Sequence, residues 1–222
     1  MATPRIVMLG PQGSGKGTHG EYLSSRLSIS HISTGNLLRE EKDRQTELGQ
    51  SIQAKLDAGS YMSDEIMEPL LTQRLSQPDC QSGWILDGYP RRETQVATLD
   101  RIAPPTAAIV LELDDEMAVE RLAGRRVCPQ GHVWHTLERW PFDGLCAKDG
   151  LPLAARSDDT EDAIRKRLAQ YKQETVPVIE MYQQRGIVLH ITASMPISAI
   201  QKVMVLPEFW GLIAEGQPII RT

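Results

Sequence analysis

Nine consecutive residues, Gly10-Pro11-Gln12-Gly13-Ser14-Gly15-Lys16-Gly17-Thr18, space two glycines and a lysine as G-x-x-x-x-G-K. Glycines let the backbone curl until several N–H groups converge on one point, and Lys16 adds a full positive charge beside them. That combination suits a phosphate, provided a buried strand leads in and a helix N-terminus leads out. Both flanks fit. Residues 5–10 (RIVMLG) read as a short buried strand, and residues 15–27 place Tyr22, Leu23 and Leu27 at helical spacing. Gly13, Ser14, Gly15, Lys16, Gly17 and Thr18 are therefore candidates for cradling a triphosphate, with Lys16 on the β/γ oxygens. The generic motif has a hydroxyl directly after the lysine; here Gly17 intervenes and Thr18 carries it.

The elements that must position this loop alternate in type. Short apolar runs at 30–33, 83–86, 107–113 and 188–191 read as strands, the first of them poor. Runs at 34–41, 47–58, 64–75, 93–101, 114–125, 160–184 and 197–205 show helical spacing. Such alternation predicts an α/β fold of the P-loop type, a parallel sheet flanked by helices on both faces. Residues 127–156 break the pattern. They hold two of the three cysteines, His132, His135, Trp134, Trp140 and Phe142, and read as a small inserted lobe. The last stretch, 206–222, is too apolar for a free tail and fits none of these elements.

Composition narrows the classes. The chain has 222 residues, 41% hydrophobic and 24% charged, which suits one ordinary globular domain spanning 1–222. It contains no apolar run of ~18 residues, the length a membrane-spanning helix needs. The N-terminus has no long apolar leader, and three cysteines (Cys80, Cys128, Cys146) make no disulfide framework, so a cytoplasmic protein is expected. A net charge of −5 argues against a general nucleic-acid binder, and no membrane partner is expected.

Several further motifs lie in register with the first: Ile32-Ser33-Thr34-Gly35-Asn36-Leu37-Leu38-Arg39, Gly83-Trp84-Ile85-Leu86-Asp87-Gly88-Tyr89-Pro90-Arg91, Arg121-Leu122-Ala123-Gly124-Arg125-Arg126, Ala155-Arg156-Ser157-Asp158-Asp159 and Arg165-Lys166-Arg167-Leu168. Together with GxxGxGKGT they resemble the adenylate kinase family of nucleoside monophosphate kinases, in its long-lid form, over about residues 5–196. The resemblance implies reversible phosphoryl transfer, ATP + AMP ⇌ 2 ADP, with Mg²⁺ bound to ATP and no covalent enzyme intermediate. Such chemistry is mostly in-line positioning and charge stabilisation. The matched motifs supply Lys16, Arg39, Arg91, Arg121, Arg125, Arg156 and Arg167 to a protein of net charge −5.

Carried over residue by residue, the resemblance implies AMP contacts from Thr34, Arg39, Arg91 and Gln95, from the backbone of Ser60, Tyr61 and Met62, and from Gly88, Tyr89 and Pro90. Arg121 and Arg125 match ATP-side lid arginines, Val133 and Trp134 a lid pair flanking ATP, and Met195 a backbone site reading adenine. Arg156 and Arg167 match a pair bridging both nucleotides, which makes Lys16, Arg91, Arg125, Arg156 and Arg167 the candidate catalytic set. Asp87 is expected to order water around Mg²⁺, and Asp158 and Asp159 to be structural partners of nearby arginines. An AMP-binding lobe at 33–62, a mobile lid at 125–160, a monomer, and ATP, AMP and ADP as partners are also implied. Thr34 favours AMP over UMP or CMP, since related pyrimidine kinases tend to carry Ala there.

Two positions depart from the family. Asn36 stands where the TGD motif has Asp, removing a carboxylate near the metal's water shell, and with the altered lid this motivates a rival reading as a nucleotide-sensing binding protein. The lid, held in many family members by Zn²⁺ through C-x2-C and C-x2-C/D, here reads C-x3-H-x13-C-x2-D. Cys128, His132, Cys146 and Asp149 would make a closed tetrahedral structural zinc site, with His135 the alternative to His132. Cys80 has no evident partner in the sequence.

Overall fold

A computed structural model describes residues 3–44, 46–57, 60–136 and 143–206. Trp140, Phe142 and positions 207–222 lie outside these residues. In chain order the elements are β1 (Arg5–Leu9), α1 (Lys16–Leu27), β2 (Ser30–Ser33), α2 (Thr34–Asp43), α3 (Glu47–Asp57), α4 (Asp64–Leu75), β3 (Trp84–Asp87), α5 (Glu93–Ile102), β4 (Ala107–Glu112), α6 (Asp115–Ala123), β5 (Arg125–Val127), β6 (Val133–His135), α7 (Glu161–Gln170), α8 (Val176–Gln184), β7 (Val188–Thr192) and α9 (Ile197–Met204).

Five strands form one parallel sheet in the order β2-β3-β1-β4-β7. Strand β1 lies at its centre. Its alternate residues explain the two-sided burial: Val7 and Leu9 enter one apolar cluster with Leu86, Tyr89, Val110 and Tyr182, while Ile6 and Met8 enter another with Ile85, Ile109, Leu189 and Ile200. Strand β1 pairs with β3 on one side and β4 on the other, while the chain leaves it for the edge strand β2 and later crosses to β4 and β7, so β1 marks the point where strand order reverses. In open parallel sheets such a crevice beyond the strand ends is where ligands bind. The loops after β1, β2 and β3 all open there.

The sheet and its flanking helices agree with the α/β pattern in the sequence, and the poor strand at 30–33 is the edge strand β2, hydrogen-bonded on one side only. Most boundaries shift by a residue or two, and two differences bear on the lobe and the cleft. The helix expected at 114–125 stops at Ala123; Asp114 caps its start by accepting from Met117 N at 2.9 Å, and Arg125 opens β5. The single helix expected at 160–184 is α7 and α8 separated by a wider π turn at Tyr171–Thr175. Pro177, near the start of α8, has no N–H to donate into the preceding turn, which accounts for the break in the regular ladder.

The inserted lobe contains the antiparallel pair β5–β6, with Arg125 opposite His135 and Val127 opposite Val133. Among the described residues no helix is long and apolar enough to cross a membrane.

Candidate functional site

The loop between β1 and α1 owes its shape to glycines. Gly10, Gly13 and Gly15 all have positive φ, and a Cβ on Gly10 would meet the Leu111 carbonyl oxygen at 2.4 Å. Gly15 leads directly into the first turn of α1, and Lys16 folds back so that Nζ donates to the carbonyls of Gly10 at 2.8 Å and Pro11 at 2.7 Å. Ser14 is buried and its Oγ has no hydrogen-bond partner, a polar atom waiting beside the loop's N–H groups. Burial pushes the Lys16 ammonium down to about 8, against the attraction of Asp87. Asp87, ending β3, faces the start of α1: its Oδ2 is 3.6 Å from where a Cβ on Gly17 would sit.

The ends of β2 and β3 build the neighbouring wall. Thr34 is 1% exposed and donates from Oγ1 to the Asp87 carbonyl at 3.1 Å, and a Cβ on Gly88 would strike that hydroxyl at 2.5 Å. Glycine is thus required at position 88 by contact as well as by its φ of 90°. Arg91 donates from Nε to Gly88 O at 2.7 Å, and Gln95 accepts from Arg91 N at 2.8 Å while donating to Asp64 at 2.7 Å. Arg39 donates from Nη2 to Asn36 Oδ1 at 2.5 Å. Burial lowers the Arg39 guanidinium from its ordinary value.

The inserted lobe and α7 bring three more arginines. Asp159, whose side chain is 2% exposed, takes Arg125 through two bonds of 2.8 and 2.6 Å and Arg167 at 3.1 Å. Arg167 also binds Asp158 through its carboxylate at 2.9 Å and its carbonyl at 2.6 Å. Arg156 lies among them; burial first, then the neighbouring Arg125 and Arg39, push it down, although a guanidinium stays charged at neutral pH. Arg121 donates to Gly13 O at 3.4 Å.

Every residue predicted to contact a nucleotide, from Gly13 through Met195, lines a single cleft of about 640 Å³ between the sheet's strand ends and the inserted lobe. Val133 is 51% exposed at its rim, and Ser60 accepts from Lys166 at 3.3 Å. Cys128, His132, Cys146 and Asp149 come together in the inserted lobe, with His132 also lining the cleft, and their donor atoms all lie within 4.8 Å of one another. His132 Nδ1 is 2.8 Å from Asp149 Oδ2, 3.4 Å from Cys128 Sγ and 3.5 Å from Cys146 Sγ. Trp134 Nε1 donates to Cys146 Sγ at 3.3 Å. His135 belongs elsewhere, its ring packed beside Gly124.

The fold adds to what the sequence indicates at several positions. Asp158 and Asp159 were expected as arginine partners, and they are, but their place in the cleft wall came only with the fold; two adjacent carboxylates after Arg156 were the available signal. Tyr171 and Thr175 reach the cleft through the π turn. His19 is 2% exposed behind the loop, held down to about 4 by burial and by Arg121. Cys80 is not partnerless: Arg74 donates to its Sγ at 2.9 Å, and burial pushes the thiol up.

A glycine-rich loop ending the central strand, a helix N-terminus behind it and arginines converging from three sides define a P-loop phosphotransferase. The family model described as "Adenylate kinase" matches residues 8–187. The chain is 42% identical over 188 residues to an adenylate kinase of Anaeromyxobacter sp. (strain K), covering 82% of this chain and 88% of that one. It is 41% identical over 201 residues to one from Methanothrix thermoacetophila (88% and 94% covered) and 40% over 203 residues to one from Moorella thermoacetica (88% and 94%). The chain belongs to the adenylate kinase family and is an enzyme of that type.

Asp159 is the anion on which the largely buried Arg125 and Arg167 converge in a crowded cationic wall. Asp159→Ala leaves Arg125 without its carboxylate, Arg167 keeping only Asp158, and should cost about 3 kcal/mol of folding stability. A lower midpoint in urea unfolding with an unchanged slope checks this; a loss below about 0.5 kcal/mol, the scale of an ordinary surface change, would contradict it.

Proposed function

We propose that the cleft holds MgATP between the β1–α1 loop and the inserted lobe, and AMP against the ends of β2 and β3. The reaction is reversible phosphoryl transfer, ATP + AMP ⇌ 2 ADP. What carries the assignment of roles is the convergence of Lys16, Arg39, Arg91, Arg125, Arg156 and Arg167 on one cleft faced by few carboxylates. Negative charge spread over a transferring phosphoryl group needs fixed positive charge in a poorly hydrated site. In this reading Gly13–Thr18 and Lys16 take the ATP phosphates, with Arg121, Arg125, Val133, Trp134 and Met195 around the rest of that nucleotide. Thr34, Arg39, Ser60–Met62, Gly88–Arg91 and Gln95 take AMP, and Arg156 and Arg167 bridge the two. Residues 33–62 form the AMP-binding lobe and 125–160 the lid, whose closure excludes water that would otherwise accept the phosphoryl group.

Mg²⁺, generic to the family, fits the oxygen donors here: Asp87 beside Gly17 and the Thr18 hydroxyl would hold it largely through water, leaving its inner contacts to phosphate. Bound there it would neutralise developing charge on the phosphates. Asn36, engaged with Arg39, adds no charge to that shell. A monomer is what the family resemblance implies, and a cytoplasmic protein that does not bind nucleic acid accords with the acidic balance.

A coupled assay with ATP, Mg²⁺ and AMP, UMP or CMP tests this reading. ADP should form fast with AMP only, and Lys16→Met should lower kcat by about 10²–10³-fold, the scale of losing one donor to a transferring group. Turnover with UMP or CMP would move the acceptor assignment, and ATP binding without turnover would favour the sensing protein.

For the lid, the donor set fits zinc: two thiols, one imidazole nitrogen and one carboxylate within reach of a single ion. Bound zinc would clip together a lobe that has little core of its own. Elemental analysis should find about one zinc per chain, and a strong chelator or Cys146→Ser should remove it and lower the melting midpoint. Zinc-free protein with an unchanged midpoint under chelator would overturn the proposal.

A further inference from the structure

The acceptor side of the cleft contains an aromatic ring that the reading above does not use. Tyr61, between α3 and α4, is 7% exposed, and the Arg91 guanidinium carbon lies 4.5 Å from its ring centroid. Arg92 approaches the same ring at 5.9 Å. The first distance is well inside the range of cation–π attraction, and a flat guanidinium also stacks on a ring face.

Arg91 is held unusually well for a long side chain. Its backbone N–H donates to Gln95 and its carbonyl accepts from Thr175 Oγ1 at 3.1 Å, so both ends of the residue are fixed. Its Nε is committed to Gly88 O. Among the described residues no acceptor takes its Nη groups, which leaves the outer fork for a ligand. Arg92 is drawn aside by Glu174, so the two arginines are not interchangeable. The remaining freedom of Arg91 is rotation of the guanidinium plane, and the Tyr61 ring is what limits it.

We infer that Tyr61 is a positioning residue for Arg91, its ring holding the guanidinium with both Nη groups turned toward the acceptor nucleotide's phosphate. The inference rests on the proposed role of Arg91 in binding AMP. Tyr61 belongs to the same short segment whose backbone is assigned to the AMP side, so movement of that segment carries the ring with it. Acceptor affinity is thereby tied to the position of the 60–62 segment, while the ATP side is untouched. A ring is needed for this, and a hydroxyl is not.

The test uses the full chain with Tyr61→Phe, Tyr61→Leu and Arg91→Ala. A cation–π contact in a poorly hydrated site corresponds to about a three- to tenfold change in affinity. Tyr61→Leu should raise KM for AMP by about that factor, with KM for ATP within about twofold, and Tyr61→Phe should restore AMP binding to about the parent value. The ring current over Arg91 supplies a readout independent of turnover: its Nε–H proton resonance should keep its position in Tyr61→Phe and move downfield in Tyr61→Leu. The inference fails if Tyr61→Leu leaves KM for AMP and that resonance unchanged. It also fails if Phe is as damaging as Leu, or if both nucleotides' KM values rise together with a lowered melting midpoint, the mark of a general packing role. Arg91→Ala separates the layers. If it raises KM for AMP while Tyr61→Leu is silent, only the stacking role falls; if it leaves KM for AMP unchanged, the assignment of Arg91 falls and the inference with it.

Discussion

Concentrating like charge inside a folded protein is the constraint around which this structure is arranged. Lys16, Arg39, Arg91, Arg125, Arg156 and Arg167 face one cleft, in a chain whose net charge is −5. Taken alone, so many half-buried cations would repel one another and resist desolvation. The fold answers with carboxylates placed behind them: Asp87 near Lys16, and Asp158 and Asp159 against Arg125 and Arg167. The compensation is partial. Lys16 still sits at about 8 and Arg39 and Arg156 below their ordinary range, so the cleft retains a demand for negative charge that nucleotide phosphates meet.

The sheet makes that concentration possible. Parallel strands deliver their C-terminal ends to one edge, and the reversal of order at β1 separates the helices there enough to leave a crevice. The glycine-rich loop, Thr34 and the Asp87–Gly88 turn each follow a strand of that edge, so three segments distant in sequence share one wall. Close approach then fixes residue type: Gly10 packs against the Leu111 carbonyl and Gly88 against the Thr34 hydroxyl, where any side chain would collide. The inserted lobe supplies the opposite wall, and its cysteine, histidine and aspartate side chains gather where the hairpin has little apolar core to hold it.

What the sequence revealed tracks how local each determinant is. The β1–loop–α1 unit was legible because its residues are consecutive and its physics is that of one turn and one helix end. Strands β3 and β4 were legible as short apolar runs, and the candidate nucleotide residues as motifs in order. The π turn was not, since its cause, Pro177, also suits an ordinary helix start, and the boundary at Ala123 depends on where Gly124 and Arg125 leave for the hairpin. The choice of His132 over His135 needed the hairpin register, which sends one ring to the cysteines and packs the other beside Gly124. The pairing of Arg125 and Arg167 through Asp159, and of Arg91 with Tyr61, joins segments that only the tertiary fold brings together.

The unmet charge at Lys16 is the most direct point of test. Burial depresses its ammonium to about 8, and triphosphate oxygens would restore the charged form, so ATP binding above that pH must draw a proton from solution. Calorimetric titration with ATP at pH 9, in buffers of different ionisation enthalpy, should show uptake approaching about one proton per ATP, falling to about a tenth of that when Lys16 is already protonated at pH 7. Lys16→Met should abolish the difference. Equal proton uptake at both pH values in the unsubstituted enzyme would contradict a cleft poised, through its buried cations, to receive phosphate.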